Sequence, residues 1–227
     1  MPLHGKRYNE IKKLVDSKKT YSPEEAIELA KKTSGVKFDA SLEVHIRLGI
    51  DPKKGDQQVR ANIVLPHSLG KKIKIAVFAE GEQATAAKKA GADIIGAKEL
   101  IDEIKKTGKI NFDIAIAAPN MMKDLSGVAK VLGPKGLMPS PKNETVTTDM
   151  AKTIAELQKG KLAVKNDDTG NIHQIIGKVS LDSAKLLENF NTLMEAVKKV
   201  KPATSKGVYL QTITLATTMG PGIKVKL

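Results

Sequence analysis

Hydroxyl-bearing side chains recur at even spacing near the C-terminus and lead into a flexible tip. Thr212, Thr214 and Thr218 follow this spacing, and Met219 and Gly220 come next. Alternate residues of an extended strand share one face. Their hydroxyls can hydrogen-bond to ribose and phosphate oxygens of a nucleic acid, and a glycine allows another backbone to approach closely. An ordinary solvated sheet face would show the same pattern, and that interpretation stays open.

A second candidate group lies at the entrance to another predicted strand, where Lys37, Phe38 and Ser41 occur together. A base or ribose could pack against Phe38 or Met219, and a lysine suits a phosphate. Aromatic residues make up only 3% of the chain, too few for a sheet that stacks bases on central aromatic rings. We therefore expect recognition of RNA by its shape and its 2′-hydroxyls.

Residues that would carry catalysis or hold a metal form no recognisable set. The chain has no cysteine, and no pair of its histidines has metal-ligand spacing. These histidines are His4, His45, His67 and His173. Asp167 and Asp168 are adjacent carboxylates, but in NDDTG they are typical turn residues. We predict no catalytic residue, no metal site and no cofactor.

Phosphate-binding loops are also missing from the sequence. The turn after the first apolar run of the middle region has one glycine, whereas a dinucleotide fingerprint needs three. The segment GPKGLMPSPK (133–142) is rich in glycine and lysine, but its three prolines lack the amide that a phosphate would need. We interpret it as a structural or RNA-facing loop, with phosphate binding as the alternative.

The middle of the chain alternates apolar runs with helical patterns. Buried strands are predicted at 73–79, 93–95 and 112–118. Helices are predicted at 82–92, 97–109, 122–132 and 149–160. Strands that alternate with helices predict a small parallel α/β domain.

The two ends of the chain instead alternate with a period of two, which is typical of half-buried antiparallel strands. Such strands are predicted at 40–50, 57–65 and 208–216, with a hairpin at 161–179. Helices are predicted at 22–32, where Ser22 and Glu25 form a capping box, and at 181–200.

Because both ends share one style, we expect them to form one domain with the middle inserted. The predicted fold class is α/β: an α+β domain from residues 1–67 and 159–227 carries an α/β domain at 68–158. The two crossings, near 66–72 and 158–161, each contain glycine. Two such crossings would form a hinge.

The bulk composition favours a polyanionic partner. The net charge is +13 and the pI is about 9.7, which suits nucleic acid or an anionic membrane. No helix combines basic residues with the aromatic face of a membrane binder, so we favour nucleic acid. The first residues contain no apolar signal sequence, and we expect a cytoplasmic protein.

Four segments together resemble one known family. They are 36–60, 133–142, 166–178 and TTMGPG at 217–222, and they match in order along nearly the full chain. The family is that of the bacterial large-subunit ribosomal protein L-one, the mobile-stalk protein. The resemblance implies a split α/β domain with a Rossmann-like insert. It also implies binding to large-subunit ribosomal RNA near the tRNA exit site, assistance in release of deacylated tRNA, and repression of translation from its own operon mRNA.

The resemblance also implies which positions contact RNA. At the two strand ends they are Lys37, Phe38, Ser41, Thr212, Thr218, Met219 and Gly220. Lys165 and Asp168 are added from the turn region. The family often has threonine at position 41 and a lysine in place of one aspartate of the turn. We further expect a monomer outside the ribosome, a location at the ribosome, no membrane contact and only indirect or transient contact with exit-site tRNA.

Two alternatives remain beside this hypothesis. One is a nucleotide-binding enzyme that uses the inserted domain, against which the missing phosphate loops argue. The other is a purely structural ribosomal scaffold without a regulatory role, which would differ only in lacking the messenger contact.

Overall fold

The computed structural model describes residues 5–16, 18–70, 73–158 and 160–226. The helices are α1 (Lys6–Lys12), α2 (Pro23–Lys32), α3 (Glu82–Lys89), α4 (Lys98–Thr107), α5 (Met122–Leu125), α6 (Ala129–Leu132), α7 (Met150–Gln158) and α8 (Ser183–Lys199). The strands are β1 (Ser41–Leu48), β2 (Arg60–Val64), β3 (Ile75–Phe78), β4 (Ile94–Gly96), β5 (Ile114–Ala117), β6 (Lys161–Lys165), β7 (Asn171–Lys178), β8 (Leu210–Thr217) and β9 (Gly222–Val225).

The chain divides into two compact units. The first comprises Met1–Gly70 and Leu162–Leu227, and the second comprises Lys71–Lys161. Residues 71, 72 and 159 of the predicted crossings lie outside the described residues, as does His4.

Strands from both ends of the chain form the main sheet of the first unit, as their period-two patterns predicted. The strand order is β7-β1-β8-β9, and all neighbours are antiparallel. Leu42, Val44, Ile46 and Leu48 of β1 are buried, whereas Arg47 between them is exposed. Each such aliphatic side chain contributes about 1.5–3 kcal/mol when it leaves water, so this core sets the register of β1.

Helices α2 and α8 cover one face of this sheet. The predicted capping box of α2 is confirmed: Ser22 Oγ accepts from Glu25 N at 3.3 Å, and Ser22 N donates to Glu25 Oε2 at 3.2 Å. On α8, the fully buried Asn189 donates to the Ile176 carbonyl at 2.8 Å. This bond satisfies a buried amide and ties α8 to β7.

The predicted hairpin over 161–179 is wrong, because its two strands join different sheets. β6 pairs with β2, and β7 pairs with β1. A single antiparallel bridge, Asn166 to Ile172, links them at the turn. Asn166 Oδ1 accepts from Val59 N at 2.8 Å, and this bond draws the end of β6 toward the segment before β2.

The C-terminal tip is a turn between two strands, which the sequence did not predict. β9 follows the tip and pairs antiparallel with β8, from Ala216 opposite Gly222 to Ile213 opposite Val225. The residues after Gly-Pro-Gly thus form the edge of the sheet rather than a loose tail.

The second unit has a parallel sheet, as predicted, in the order β4-β3-β5. All four residues of β3 are buried, which explains its continuous apolar run. Helix α7 begins after Asp149, whose Oδ1 accepts from Lys152 N at 3.3 Å. Gly160 follows its end with a φ of 106°, a value that favours glycine.

The single helix predicted over 122–132 is wrong. Short helices α5 and α6 are separated by a 3-10 turn at Ser126–Val128. Ser126 Oγ donates to the Lys123 carbonyl at 2.6 Å, and Gly127 has low helix propensity. The pair therefore tightens and interrupts the helix.

Candidate nucleic-acid interface

The tip between β8 and β9 presents Met219 on a strained backbone. Met219 has a φ of 64°, in the left-handed region, and its side chain is 67% exposed. Gly220 N donates to the Thr217 carbonyl at 2.8 Å. A Cβ at Gly220 would lie 2.2 Å from Thr217 Oγ1, so only glycine fits there. Strain of this kind in an exposed apolar residue is typical of a functional site.

Thr218 connects the tip to the start of β1. Ser41 N donates to Thr218 Oγ1 at 3.1 Å, and Thr218 Oγ1 donates to the Ser41 carbonyl at 3.3 Å. Thr218 N also donates to that carbonyl at 3.0 Å. The hydroxyl is therefore engaged within the protein, and Thr218 positions the tip against the first strand.

Two cations that sequence analysis did not single out also lie here. Lys178 Nζ donates to Ser41 Oγ at 3.0 Å and to the Asp39 carbonyl at 3.1 Å. Arg7 donates to the Gly35 carbonyl at 2.9 Å and to the Met219 carbonyl at 3.4 Å. Nothing in the sequence distinguishes them among 38 lysines and arginines.

Because Gly35 bonds to Arg7 and Asp39 bonds to Lys178, we group the segment between them with these residues as one candidate surface, which we call the rim. It comprises Arg7, Lys37, Phe38, Ser41, Lys178, Thr218, Met219 and Gly220. Lys37 is exposed, and the Phe38 side chain is 55% exposed although it is apolar. The rim thus combines two exposed apolar side chains with three cations, Arg7, Lys37 and Lys178.

The remaining sequence-predicted residues lie away from the rim. Thr212 is opposite Arg47 of β1, and Asp168 lies in the turn that precedes β7. From Ser41 to Arg47 the strand advances about 20 Å at about 3.3 Å per residue. Lys165 is exposed at the end of β6. The structure therefore divides the predicted site into the rim and a second group near the 167–170 turn.

Asp167, rather than Asp168, holds that turn together. Its carboxylate accepts from Asn171 N at 2.6 Å and from Thr169 N at 2.9 Å. The hydrogen bond from the Asn171 backbone N–H, together with the hydrogen bonds from Thr169, holds the pKa of Asp167 well below its usual range. The Asp167 carboxylate thus stays charged and fixes the start of β7.

A pair of histidines lies on the open face of the sheet between the two groups. His45 and His173 are opposite each other on β1 and β7, and their Nδ1 atoms are 2.8 Å apart. Burial and the positive charge of His173 lower the pKa of His45, while Glu43 opposes this shift. Their separation of 128 residues hid this contact from sequence analysis.

The loop at 133–142 gives no support to phosphate binding. Its amides donate within the unit: Gly136 N to the Gly133 carbonyl at 2.9 Å, and Leu137 N to the Leu132 carbonyl at 3.0 Å. Ser140 N donates to Thr145 Oγ1 at 2.8 Å. Because these donors are already paired, the geometry favours a structural loop.

Within the described part of the chain, no three histidine, aspartate or glutamate residues are grouped so that they could hold a metal ion. Over the same residues, no helix has the length and apolarity to cross a membrane.

Comparison with known proteins gives consistent matches. Residues 29–221 match the model of the Ribosomal protein L1p/L10e family. The chain is 50% identical over 225 residues to the large ribosomal subunit protein uL1 of Thermosipho melanesiensis, covering 99% of this chain and 97% of the relative. It is 51% identical over 227 residues to the protein of that name from Fervidobacterium nodosum, covering 100% and 97% of the two chains.

Proposed function

The chain belongs to the ribosomal protein L1p/L10e family, and from this premise we propose that its rim binds a folded segment of large-subunit ribosomal RNA. Family membership makes it a structural protein of the large ribosomal subunit, located with the ribosome in the cytoplasm. It indicates a structural role rather than an enzymatic one.

The observation that carries the proposal is the pair of bonds between Thr218 and Ser41. They hold the segment before β1 and the tip after β8 side by side. Phe38 and Met219 can then pack against a ribose or an unstacked base, which is a common mode of RNA recognition. Arg7, Lys37 and Lys178 supply positive charge for the phosphates around that contact.

The second group extends the proposed contact. Thr212 and Asp168 can hydrogen-bond to 2′-hydroxyls, and Lys165 can approach a phosphate. Because Thr212 of this group lies about 20 Å from the rim along the main sheet, the two groups suit two separate backbone segments of a folded RNA. Recognition of two segments at a fixed spacing would select RNA by its shape.

Binding of a ribosomal RNA fragment from the stalk region tests the rim directly. We expect Met219→Ala to weaken binding by about 1–3 kcal/mol, and Lys37→Ala to reduce the slope of log affinity against log salt by about one. Lys105→Ala, at an exposed lysine of the second unit, is a matched control for Lys37→Ala. Unchanged affinity for Met219→Ala and Lys37→Ala, with tight binding by the wild type, would reject the rim as the site.

We also propose that the protein represses translation of its own operon by binding a similar structure in the messenger. Support comes from the family resemblance and from a rim that would accept either RNA. A reporter fused to its own leader should fall when the wild type is overexpressed and stay unchanged with Met219→Ala. If reporter expression were the same with the wild type and with Met219→Ala, the purely structural role would be favoured over repression.

The division into an RNA-binding domain (1–67 and 159–227) and a mobile insert (68–158) is likewise a proposal. In this proposal, the insert moves about the two crossings and thereby assists the release of tRNA from the exit site. Spin labels on exposed Lys185 and Lys105, one in each unit, would report the distance between units in the free, monomeric protein. One narrow distance would argue against a hinge.

A further inference from the structure

A groove in the first unit lies apart from the rim and has no role in RNA binding as proposed above. Its volume is about 630 Å³, and it runs between the C-terminal half of α8 and the start of β8. The β8 lining of the groove runs from Leu210 to Ile213, whereas the tip follows Thr217 at the end of β8. At about 3.4 Å per residue, Ile213 and Thr217 are about 14 Å apart along the strand, so the groove and the rim are separate surfaces.

The floor of the groove is aliphatic. Met194 of α8 and Leu210 and Ile213 of β8 line it, and Val208 at its edge is 72% exposed. Val208 thus extends the apolar lining of the groove to its exposed edge. The volume lies within the range of about 300–1,000 Å³ usual for binding pockets.

The edge of the groove is positively charged. Lys198 and Lys201 at the end of α8 and Lys226 after β9 line it, and all three are exposed. No aspartate or glutamate is among the lining residues. The occupant that complements this surface has aliphatic groups for the floor and negative charges for the edge.

Two other occupants fit less well. A second copy of this chain would bring another net charge of +13, which repels. RNA phosphates would meet the lysines of the edge, but hydrophilic riboses and bases do not complement an aliphatic floor, and the aromatic residues of the lining, Phe190 and Tyr209, are only 3% and 7% exposed and offer no stacking face. The Tyr209 hydroxyl is also engaged, since it donates to the Val197 carbonyl at 3.2 Å.

We propose that this groove binds an acidic peptide segment of a partner protein. Leucine- or phenylalanine-type side chains of the segment pack on the exposed Val208 and the half-buried Leu210. Its aspartates and glutamates meet Lys198, Lys201 and Lys226. Helical peptides that dock in this way carry their apolar anchors three or four residues apart.

Selection from a random peptide display library on the full-length protein tests the proposal without assuming a partner. We expect enriched peptides to combine acidic residues with aliphatic or aromatic anchors. The synthetic form of the most enriched peptide should bind Val208→Asp and Lys198→Glu/Lys201→Glu at least tenfold more weakly than the wild type. Met219→Ala should bind it as the wild type does. Since Val208 is exposed, its replacement should leave the fold and the RNA affinity unchanged.

Three results would overturn the proposal. The first is the absence of any enriched peptide whose binding depends on Val208 and the two lysines. The second is a dimer in sedimentation analysis that Val208→Asp dissociates, which would assign the groove to a second copy. The third is binding of an RNA oligonucleotide that Lys198→Glu/Lys201→Glu weakens and an excess of the selected peptide displaces.

Discussion

Thr218 Oγ1 lies 3.1 Å from the backbone nitrogen of Ser41 and 3.3 Å from its carbonyl oxygen, across 177 residues of sequence. A hydroxyl that both accepts from and donates to one residue acts as a clamp between two chain segments. Its role in RNA binding would then be to hold Phe38 and Met219 at a fixed spacing.

Removal of this hydroxyl should weaken the contact between the two segments, although Thr218 N still donates to the Ser41 carbonyl. Thr218→Val keeps the shape but leaves Ser41 N without its acceptor, so we expect the free energy of unfolding to fall by about 1–2 kcal/mol. RNA affinity should fall with it. Thr218→Ser keeps the hydroxyl and is the matched control. Equal stability of the valine and serine variants in urea titration would show that the clamp contributes nothing.

Replacement of Met219 by glycine should raise the stability of the protein but lower its affinity for RNA. The Met219 φ of 64° costs energy for any residue with a Cβ. Met219→Gly should relieve this strain and raise the free energy of unfolding by about 0.5–1 kcal/mol, while RNA affinity falls because the side chain is lost. Met219→Ala keeps the strained Cβ and should lose affinity without gaining stability. A glycine variant that is less stable than the alanine variant would refute the strain argument.

Lys161 of the second unit is buried and pairs with two carboxylates. Removing both carboxylates should lower the stability of the protein more than replacing Lys161 itself. Lys161 is 8% exposed; it contacts the Glu144 carboxylate and lies 2.7 Å from that of Glu156. Burial lowers the pKa of Lys161, but the hydrogen bonds to both carboxylates outweigh this effect and raise it. Glu144 is 62% exposed and can be hydrated if the lysine is removed.

We therefore expect Lys161→Met to change the free energy of unfolding by less than about 1 kcal/mol. Glu144→Gln/Glu156→Gln leaves a buried ammonium without a counter-charge and should cost about 3 kcal/mol. Thermal unfolding of both variants measures the difference. If Lys161→Met proved the more damaging change, the argument from buried charge would be wrong.

The histidine pair should make stability depend on pH. Burial and the charge of His173 lower the pKa of His45 from 6.5 in the folded protein. Below about pH 6.5, the unfolded chain then binds a proton that the folded chain does not. Stability should fall from about pH 6.5 down to the lowered pKa and then level off, with no contribution above pH 7.5.

Urea titrations between pH 5 and pH 8 measure this effect. His45→Gln should abolish the histidine contribution, and His173→Gln should reduce it because the neighbouring charge is lost. The contribution of Asp167, whose pKa is held low by hydrogen bonds, is lost in a more acidic window and does not interfere. Identical pH profiles for wild type and His45→Gln would contradict the expected linkage.

Sequence analysis was reliable where the signal was local. The period-two pattern predicted a half-buried strand at 40–50, and four alternate residues of β1 are buried, whereas Ile50 beyond its end is half-buried. The capping box of α2 was found within four consecutive residues. The continuous apolar runs of β3 and β5 predicted a parallel sheet, since both faces of such strands are covered. Each prediction depends on neighbours within one element.

Sequence analysis was wrong about which strands pair with each other. The turn at 167–170 was recognised, but β6 and β7 join different sheets because pairing depends on distant strands. The same limit applies to β9, whose few residues carry no strand signal until β8 lies beside them.

By itself the sequence determined the basic charge, the half-buried strands at both ends and the parallel middle, and its resemblance to a known family proposed the candidate RNA-contacting residues. Only the tertiary structure decided that Thr218 clamps Ser41, that Arg7 reaches Met219 and that Thr212 and Asp168 lie away from the rim. The physical reason is that hydrophobic periodicity depends only on residues that are close together in the sequence. A hydrogen bond between residues 177 or 212 positions apart exists only after the sheet has brought them together.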